Sequence, residues 1–191
     1  RPLAVSVAGA LLYYLKKLRK DALSLVHNVS YVQSSQHMIL DSSTIKNLEL
    51  VKNLRDGRTK DSLLDIIDFT VTSMGGRLFR FSLLQPLLNC TDIENRLDTV
   101  TELLSHTIER QELQESLKNI FDLERLSGKI ALAVANARDL IALKKSLLPL
   151  PQIRSLIESF SSMMVAGIRE GWDNAHDIVE LIVKSILEEP A

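Results

Sequence analysis

Four histidines and one cysteine are the residues of this 191-residue chain best suited to metal binding or nucleophilic chemistry, and their spacing argues against both. His27, His37, His106 and His176 are far apart in sequence, and none has a Cys or carboxylate neighbour at a metal-ligand spacing such as His-Glu-x-x-His. His176 and Asp177 with Glu180 could share a helix face, but solvated side chains on an ordinary helix are the expected reading. Cys90 has no neighbouring His to generate a thiolate, and no Gly-x-Ser-x-Gly elbow occurs, so nucleophilic catalysis has no candidate. The Gly-x-x-x-x-Gly-Lys-Ser/Thr cradle and the Gly-x-Gly-x-x-Gly turn are both missing, and Gly75-Gly76 stands alone before a helix. That glycine pair could turn backbone N–H groups toward an anion, but a tight turn or close backbone packing is its expected role. No catalytic, cofactor-binding or metal residue is therefore assigned, and DNA-binding residues are left unassigned.

Two basic clusters could meet phosphate: Lys16, Lys17, Arg19 and Lys20 in the first one, Arg77 and Arg80 in the second. The expected roles are a solvated face for the first and pairing with Asp or Glu for the second. Only Phe79 and Phe81 are interleaved with these cations, and both are expected in the core, as Trp172 is expected to pack under a loop. With 23 Lys and Arg against 24 Asp and Glu, a formal net charge of -1 offers no overall attraction to nucleic acid or to an acidic membrane surface.

The elements that would position these side chains are helical. Hydrophobic residues make up 46% of the chain, with only seven Gly and five Pro, a balance that favours an all-α core over a turn-rich sheet fold. The apolar run from Leu3 to Leu15, broken by Ser6 and Gly9, falls short of the roughly 20 residues that cross a bilayer and is expected as a buried helix. That first helix is expected to run from Leu3 to Val26. Tyr31 and Val32 with Met38 and Ile39 flank a polar stretch, as in a small β-hairpin.

Asp41 is placed to cap a helix through Thr44 to Leu50, and Asp56-Gly57 marks a turn. Ser62-Leu63-Leu64-Asp65 and Thr91-Asp92-Ile93-Glu94 have capping-box form, and Ser73 can cap a helix carrying Arg77 to Leu84 that stops at Pro86. Helices are then expected over 109–120, 123–133, 138–147, 152–160 and 174–188, interrupted by Pro149 and Pro151, with 161–171 as a flexible connection. A single cysteine and the lack of a secretory leader point to a reducing, cytosolic compartment. A start at Arg1-Pro2 and a stop directly after a helical segment suggest a piece of something longer.

The stretch from Ser62 to Leu87, which reads SLLDIIDFTVTSMGGRLFRFSLLQPL, resembles the core-domain signature of the MutS family of DNA mismatch-repair proteins. Ala8 to Leu15, Met38 to Asp41 and Asn47 to Leu50 resemble the same domain upstream, and Ile93 to Val100, Asp122 to Leu126, Asn136 to Leu140 and Leu150-Pro151 continue it downstream. Ser82 stands where the family often carries Trp, so Phe79 or Phe81 would have to supply that packing.

The resemblance implies one core (lever) segment over 1–191: a helix, hairpin and capped helix in 1–60, a helical core in 61–160 with its signature at 62–87, and the start of a lever helix at 174–188. It implies no enzyme activity for this chain but a structural and allosteric role, joining mismatched-DNA binding to a distant ATPase domain in the parent. ATP and Mg would belong to that parent, and its partners would be mismatched double-stranded DNA, a second MutS subunit in a dimer, and downstream repair proteins. The parent would be cytoplasmic, of bacterial type, nucleoid-associated when on DNA, with no membrane partner. A free-standing helical interaction module and a recombination paralogue are the alternatives. The stripe Ile178, Val179, Leu181, Ile182, Ile186 and Leu187 is expected to be partly exposed, awaiting a returning lever helix.

Overall fold

The computed structural model describes residues 2–18, 23, 26 and 36–187. Two compact units divide the chain at Gln33 and Ser34. In the first, helix α1 spans Pro2–Leu18. Pro2 suits the first helical position, where an N–H would have no intrahelical partner. Contrary to the expected burial, no residue of α1 is buried, because a helix covers its apolar side chains only against a packed neighbour. The expected extension of this helix toward Val26 falls largely outside the described residues.

The second unit is a chain of short helices around three apolar clusters, as the all-α expectation required. Helices α2 (Ser42–Asn47), α3 (Leu63–Ile67) and α4 (Ser73–Leu84) enclose the first cluster, in which Leu50, Val51 and Leu64 are buried under Ile45, Phe79 and Leu83. Asp41 caps α2 by accepting the Thr44 N–H at 2.6 Å. Ser62 caps α3 through the Asp65 N–H, while the reciprocal bond of Asp65 goes to the Asp61 N–H rather than to Ser62. Gly57 takes φ +72°, which confirms the Asp56-Gly57 turn and suits a residue without Cβ.

Two expected caps are each displaced by a residue or more. Thr72, not Ser73, caps α4 through the Gly75 N–H at 3.0 Å. Helix α5 (Cys90–Ser105) starts earlier than its capping-box pattern suggests, because Asn89 accepts the Thr91 and Asp92 N–H groups. Asn competes as well as Thr for this position, so a sequence offering both leaves the register open.

The expected hairpin is replaced by something smaller. Tyr31 and Val32 lie outside the described residues, and neither Met38 nor Ile39 is in a strand. His37 instead makes an isolated antiparallel bridge to Leu87, with the Met38 N–H donating to Pro86 O at 2.8 Å. Pro86 contributes its carbonyl to this contact and has no N–H to lose.

Helices α6 (Thr107–Lys118), α7 (Leu123–Ala131), α8 (Ala137–Leu147), α9 (Leu150–Leu156), α10 (Met163–Glu170) and α11 (His176–Ser185) continue the unit, with a 3-10 turn at Ile157–Ser159. Helix α7 ends before Ala133, which turns left-handed at φ 55° and lets the Val134 N–H close on Lys129 O. Pro149 and Pro151 separate α8 from α9, yet they also open α9, since proline fits a first helical turn. The connection expected at 161–171 is itself largely helix α10, because Met163, Met164, Val165 and Ile168 outweigh the single internal Gly167. Helix α11 begins at His176 rather than Asn174: the Asp173 carboxylate accepts the Ala175 N–H at 2.8 Å, holding a local turn with Ala175 at φ 50°.

Candidate functional site

What the second unit offers is a set of polar ties between helices distant in sequence. Arg77 projects from α4, within the signature stretch, toward the start of α7. Its Nη1 and Nη2 donate to Asp122 Oδ2 and Oδ1, each at 2.8 Å, and its Nε donates to Glu124 Oε2 at 2.9 Å, with a further Nη2 bond to Glu124. A planar guanidinium fork is the side chain able to hold two carboxylates in this way, which a lysine cannot imitate. Asp122 also caps α7 through the Arg125 N–H, so the tie is fixed to the helix end itself. Its carboxyl is held down to about 2, first by the Arg77 hydrogen bonds. The expected pairing of the second basic cluster is thus realised by Arg77, whereas Arg80 is exposed.

The glycine pair sits next to this tie, inside the first turn of α4 and not in a turn ahead of it. Neither glycine has positive φ, so a left-handed backbone is not what selects them. Close approach does. A Cβ on Gly75 would stand 2.9 Å from the capping Thr72 Oγ1, and one on Gly76 would stand 3.3 Å from Thr70 Oγ1.

A second tie comes from Glu102 on α5. Its carboxylate accepts the Ser161 N–H at 2.5 Å, the Ser161 hydroxyl at 2.8 Å and the Ser162 N–H at 3.0 Å. Ser162 occupies the capping position of α10 without making a side-chain cap bond, so a carboxylate from a different helix satisfies these donors instead. Those bonds, the Ser161 N–H first, hold the Glu102 carboxyl down to about 2 from its ordinary 4.5. A lowered folded-state pKa means stability that is fully present above pH 4.5 and lost as pH falls toward 2. Thermal melts of wild type and Glu102→Gln should therefore differ most near pH 6 and converge on acidification below 4.5. A constant difference across that range would show that the charge is not used.

Two further contacts complete the frame. Lys129 on α7 donates to Asp139 at the start of α8 at 2.6 Å, and Ser146 Oγ on α8 accepts the Phe121 N–H at 2.9 Å. Neither Glu102 nor Ser146 was identifiable as a tie from sequence. Their partners lie 59 and 25 residues away, outside any local pattern.

The residues singled out for chemistry are not brought together. His37 stacks edge-on to Phe81 at 6.1 Å and His106 tilts against Phe160 at 5.1 Å, while His27 lies outside the described residues. His176, Asp177 and Glu180 are exposed on α11, where Glu180 pairs with Lys184 at 3.2 Å. Among the described residues no three of His, Cys, Asp and Glu form a group that could hold a metal ion. Cys90 is exposed at the first position of α5. Lys16 and Lys17 are exposed in the last turn of α1, and Arg19 and Lys20 lie outside the described residues. Phe79 packs against the Leu50, Val51 and Leu64 cluster as expected, whereas Phe81, expected in the core, is 48% exposed. Trp172 packs on the Phe160 cluster and donates from Nε1 to Asn174 Oδ1 at 2.9 Å. No helix among the described residues is long and apolar enough to cross a membrane.

A family model described as MutS domain III matches residues 43–191, which takes in every tie described above. The chain belongs to the MutS family. Among MutS relatives, the DNA mismatch repair protein MutS of Alkaliphilus oremlandii is 45% identical over 189 residues, 99% of this chain and 22% of its own length. MutS of Halothermothrix orenii is 41% identical over the whole chain and 21% of its own length, and MutS of Ruminiclostridium cellulolyticum is 44% identical over 98% of the chain. The chain thus spans about a fifth of the length of the MutS relatives it matches. It corresponds to a helical domain of a mismatch-repair protein family and not to a whole relative.

Proposed function

We propose that this helical domain is the structural and coupling element of a DNA mismatch-repair protein, linking binding of mismatched DNA to a distant ATPase domain in the parent. The observation that carries this reading is the Arg77 fork. It joins the signature helix α4 to the capped end of α7 across 45 residues of sequence, so that a displacement of one helix is passed to the other. Coupling needs contiguous elements held in discrete arrangements, and a bidentate charged tie at a helix end provides one. The division of the chain into a leading segment at 1–60, a core at 61–160 and a lever start at 174–188 belongs to the same proposal.

ATP and Mg would act elsewhere in the parent, since this sequence has no phosphate-cradle motif. The parent's partners would be mismatched duplex DNA, a second MutS subunit and downstream repair proteins, and it would sit with the nucleoid when on DNA. Relatives named as mismatch repair proteins favour this over a recombination paralogue.

In the full-length parent, Arg77→Gln should lower mismatch-stimulated ATP hydrolysis by about fivefold or more, the lower end of ordinary coupling energies, while mismatch affinity and basal hydrolysis stay within about twofold. Unchanged stimulation in a folded variant would remove the coupling role and favour a free-standing interaction module.

A further inference from the structure

Between α2 and α3 the chain leaves the first cluster at the buried pair Leu50 and Val51 and re-enters it at the buried Ser62 and Leu64. The two stems lie side by side, with the Leu63 N–H donating to Glu49 O at 3.0 Å and the Leu64 N–H to Leu50 O at 2.9 Å. Every residue from Leu54 to Asp61 is exposed, so the segment projects from the body as a loop. Lys52, Arg55, Arg58 and Lys60 stand in it against one carboxylate, Asp56, in a chain whose formal net charge is -1. Arg58 Nε lies 3.6 Å from Asp56 Oδ2 in an exposed pair, whereas Lys52, Arg55 and Lys60 have no ion-pair partner among the described residues. The other charged groups are at the base: Lys46 on α2, then Glu49, Asp61 and Asp65. Glu49 accepts the Leu54 N–H and Asp65 accepts the Asp61 N–H at 3.0 Å, so those two carboxylates are engaged by backbone donors.

The loop keeps its shape without using its cationic heads. The Asn53 N–H donates to Arg58 O at 2.9 Å, Asn53 Oδ1 accepts the Asp56 and Gly57 N–H groups at 2.8 and 3.2 Å, and Asn53 Nδ2 donates to Lys60 O at 2.8 Å. The side-chain amide that could read a base edge is thereby consumed, and the loop has no aromatic ring to stack on an unpaired base. Leu54 is its one exposed large apolar residue, too little for the apolar centre of a protein interface. What remains is positive charge at fixed positions, which suits a partner that charge alone can hold. We propose that the loop over 52–60 contacts the sugar-phosphate backbone of duplex DNA through Lys52, Arg55, Arg58 and Lys60, without reading sequence. The inference rests on the mismatch-repair reading above and adds to it a DNA contact within this domain.

The test titrates the 191-residue chain into labelled DNA, read by fluorescence anisotropy. A duplex of about 20 base pairs should bind with micromolar or weaker affinity, equally whether matched or mismatched, and log affinity should fall against log salt with a slope of about -3. Lys52→Gln, Arg55→Gln, Arg58→Gln and Lys60→Gln combined should weaken binding about tenfold or more and bring the slope near zero. All four side chains are exposed, so circular dichroism should show this variant folded. Lys52→Gln with Lys60→Gln alone should reduce the slope by about half. Unchanged affinity in the fourfold variant, or a loss that follows Lys16→Gln with Lys17→Gln on α1 instead, would overturn the proposal. So would equally tight binding of a polyglutamate peptide, which would assign the loop to an acidic protein segment. The readout is DNA binding by this chain, so either result leaves the Arg77 coupling role to its own test by ATP hydrolysis in the parent.

Discussion

Replacing Phe160 by Ala should destabilise the unit from Ser34 to Ala191 by about 3 to 5 kcal/mol, the usual cost of emptying a buried aromatic site. Phe160 is 1% exposed, lies against Ile157 and Val165, and is closed over by Leu103 from α5, Leu113 from α6 and Trp172. Removing the ring strips contacts from each of these elements at once, and the helix ends around it cannot all collapse inward because Glu102 holds Ser161 and Ser162 in place. For a unit of this size the change corresponds to a melting point lower by roughly 6 to 20 °C. Phe160→Leu, which keeps most of the volume, should cost about 1.5 kcal/mol or less. Phe69→Ala gives the comparison: that ring is largely exposed, and its loss should change stability by no more than about 0.5 kcal/mol. Melts showing equal effects at Phe160 and Phe69 would contradict the assignment of Phe160 to the core. Combining Phe160→Ala with Glu102→Gln should give less than the sum of the two, because both act on the same junction.

The parts of this fold that were legible in sequence are those decided locally. Helical periodicity and short polar caps identified α2 through Asp41 and α3 through Ser62, since a cap bond spans three residues and is written in adjacent side chains. Caps failed where two competent residues stood close together, as with Thr72 beside Ser73 and Asn89 beside Thr91. The pairing of Arg77 with acids was legible in kind but not in partner, because Asp122 and Glu124 meet it only after α4 and α7 have packed. Glu102 escaped notice altogether. Nothing near it marks it as a cap for α10, whose start lies some sixty residues on. The hairpin expectation failed for a related reason: His37 found its backbone partner at Leu87 rather than across a local turn. Long-range polar ties are the features local patterns do not encode, because their partners meet only after the helices have packed.

Ile182→Ala should cost about 2 to 5 kcal/mol, and its importance lies in which face of α11 it tests. The apolar residues of α11 cover more than half of its circumference, so the sequence pattern left open which of them would meet the body. In the structure Ile182 is 5% exposed among Leu126, Ile141, Leu143 and Leu147, with Val179 and Ile186 packed beside it, whereas Leu181 is 65% exposed. The expectation of a partly open stripe therefore fails for Ile182 and survives for Ile178, Leu181 and Leu187. The physical reason is that α8 already presents Ile141, Leu143 and Leu147, so the chain covers this face of α11 without a returning helix. Leu181→Ala should then change stability by no more than about 0.5 kcal/mol. Hydrogen exchange adds a sharper reading: Ile182→Ala should speed exchange across 176–185 more than in α5, because α11 docks through α8 and can open while the Phe160 cluster stays closed. If Leu181→Ala proved as costly as Ile182→Ala, α11 would have to be rotated on α8. The face available to any incoming lever segment would rotate with it.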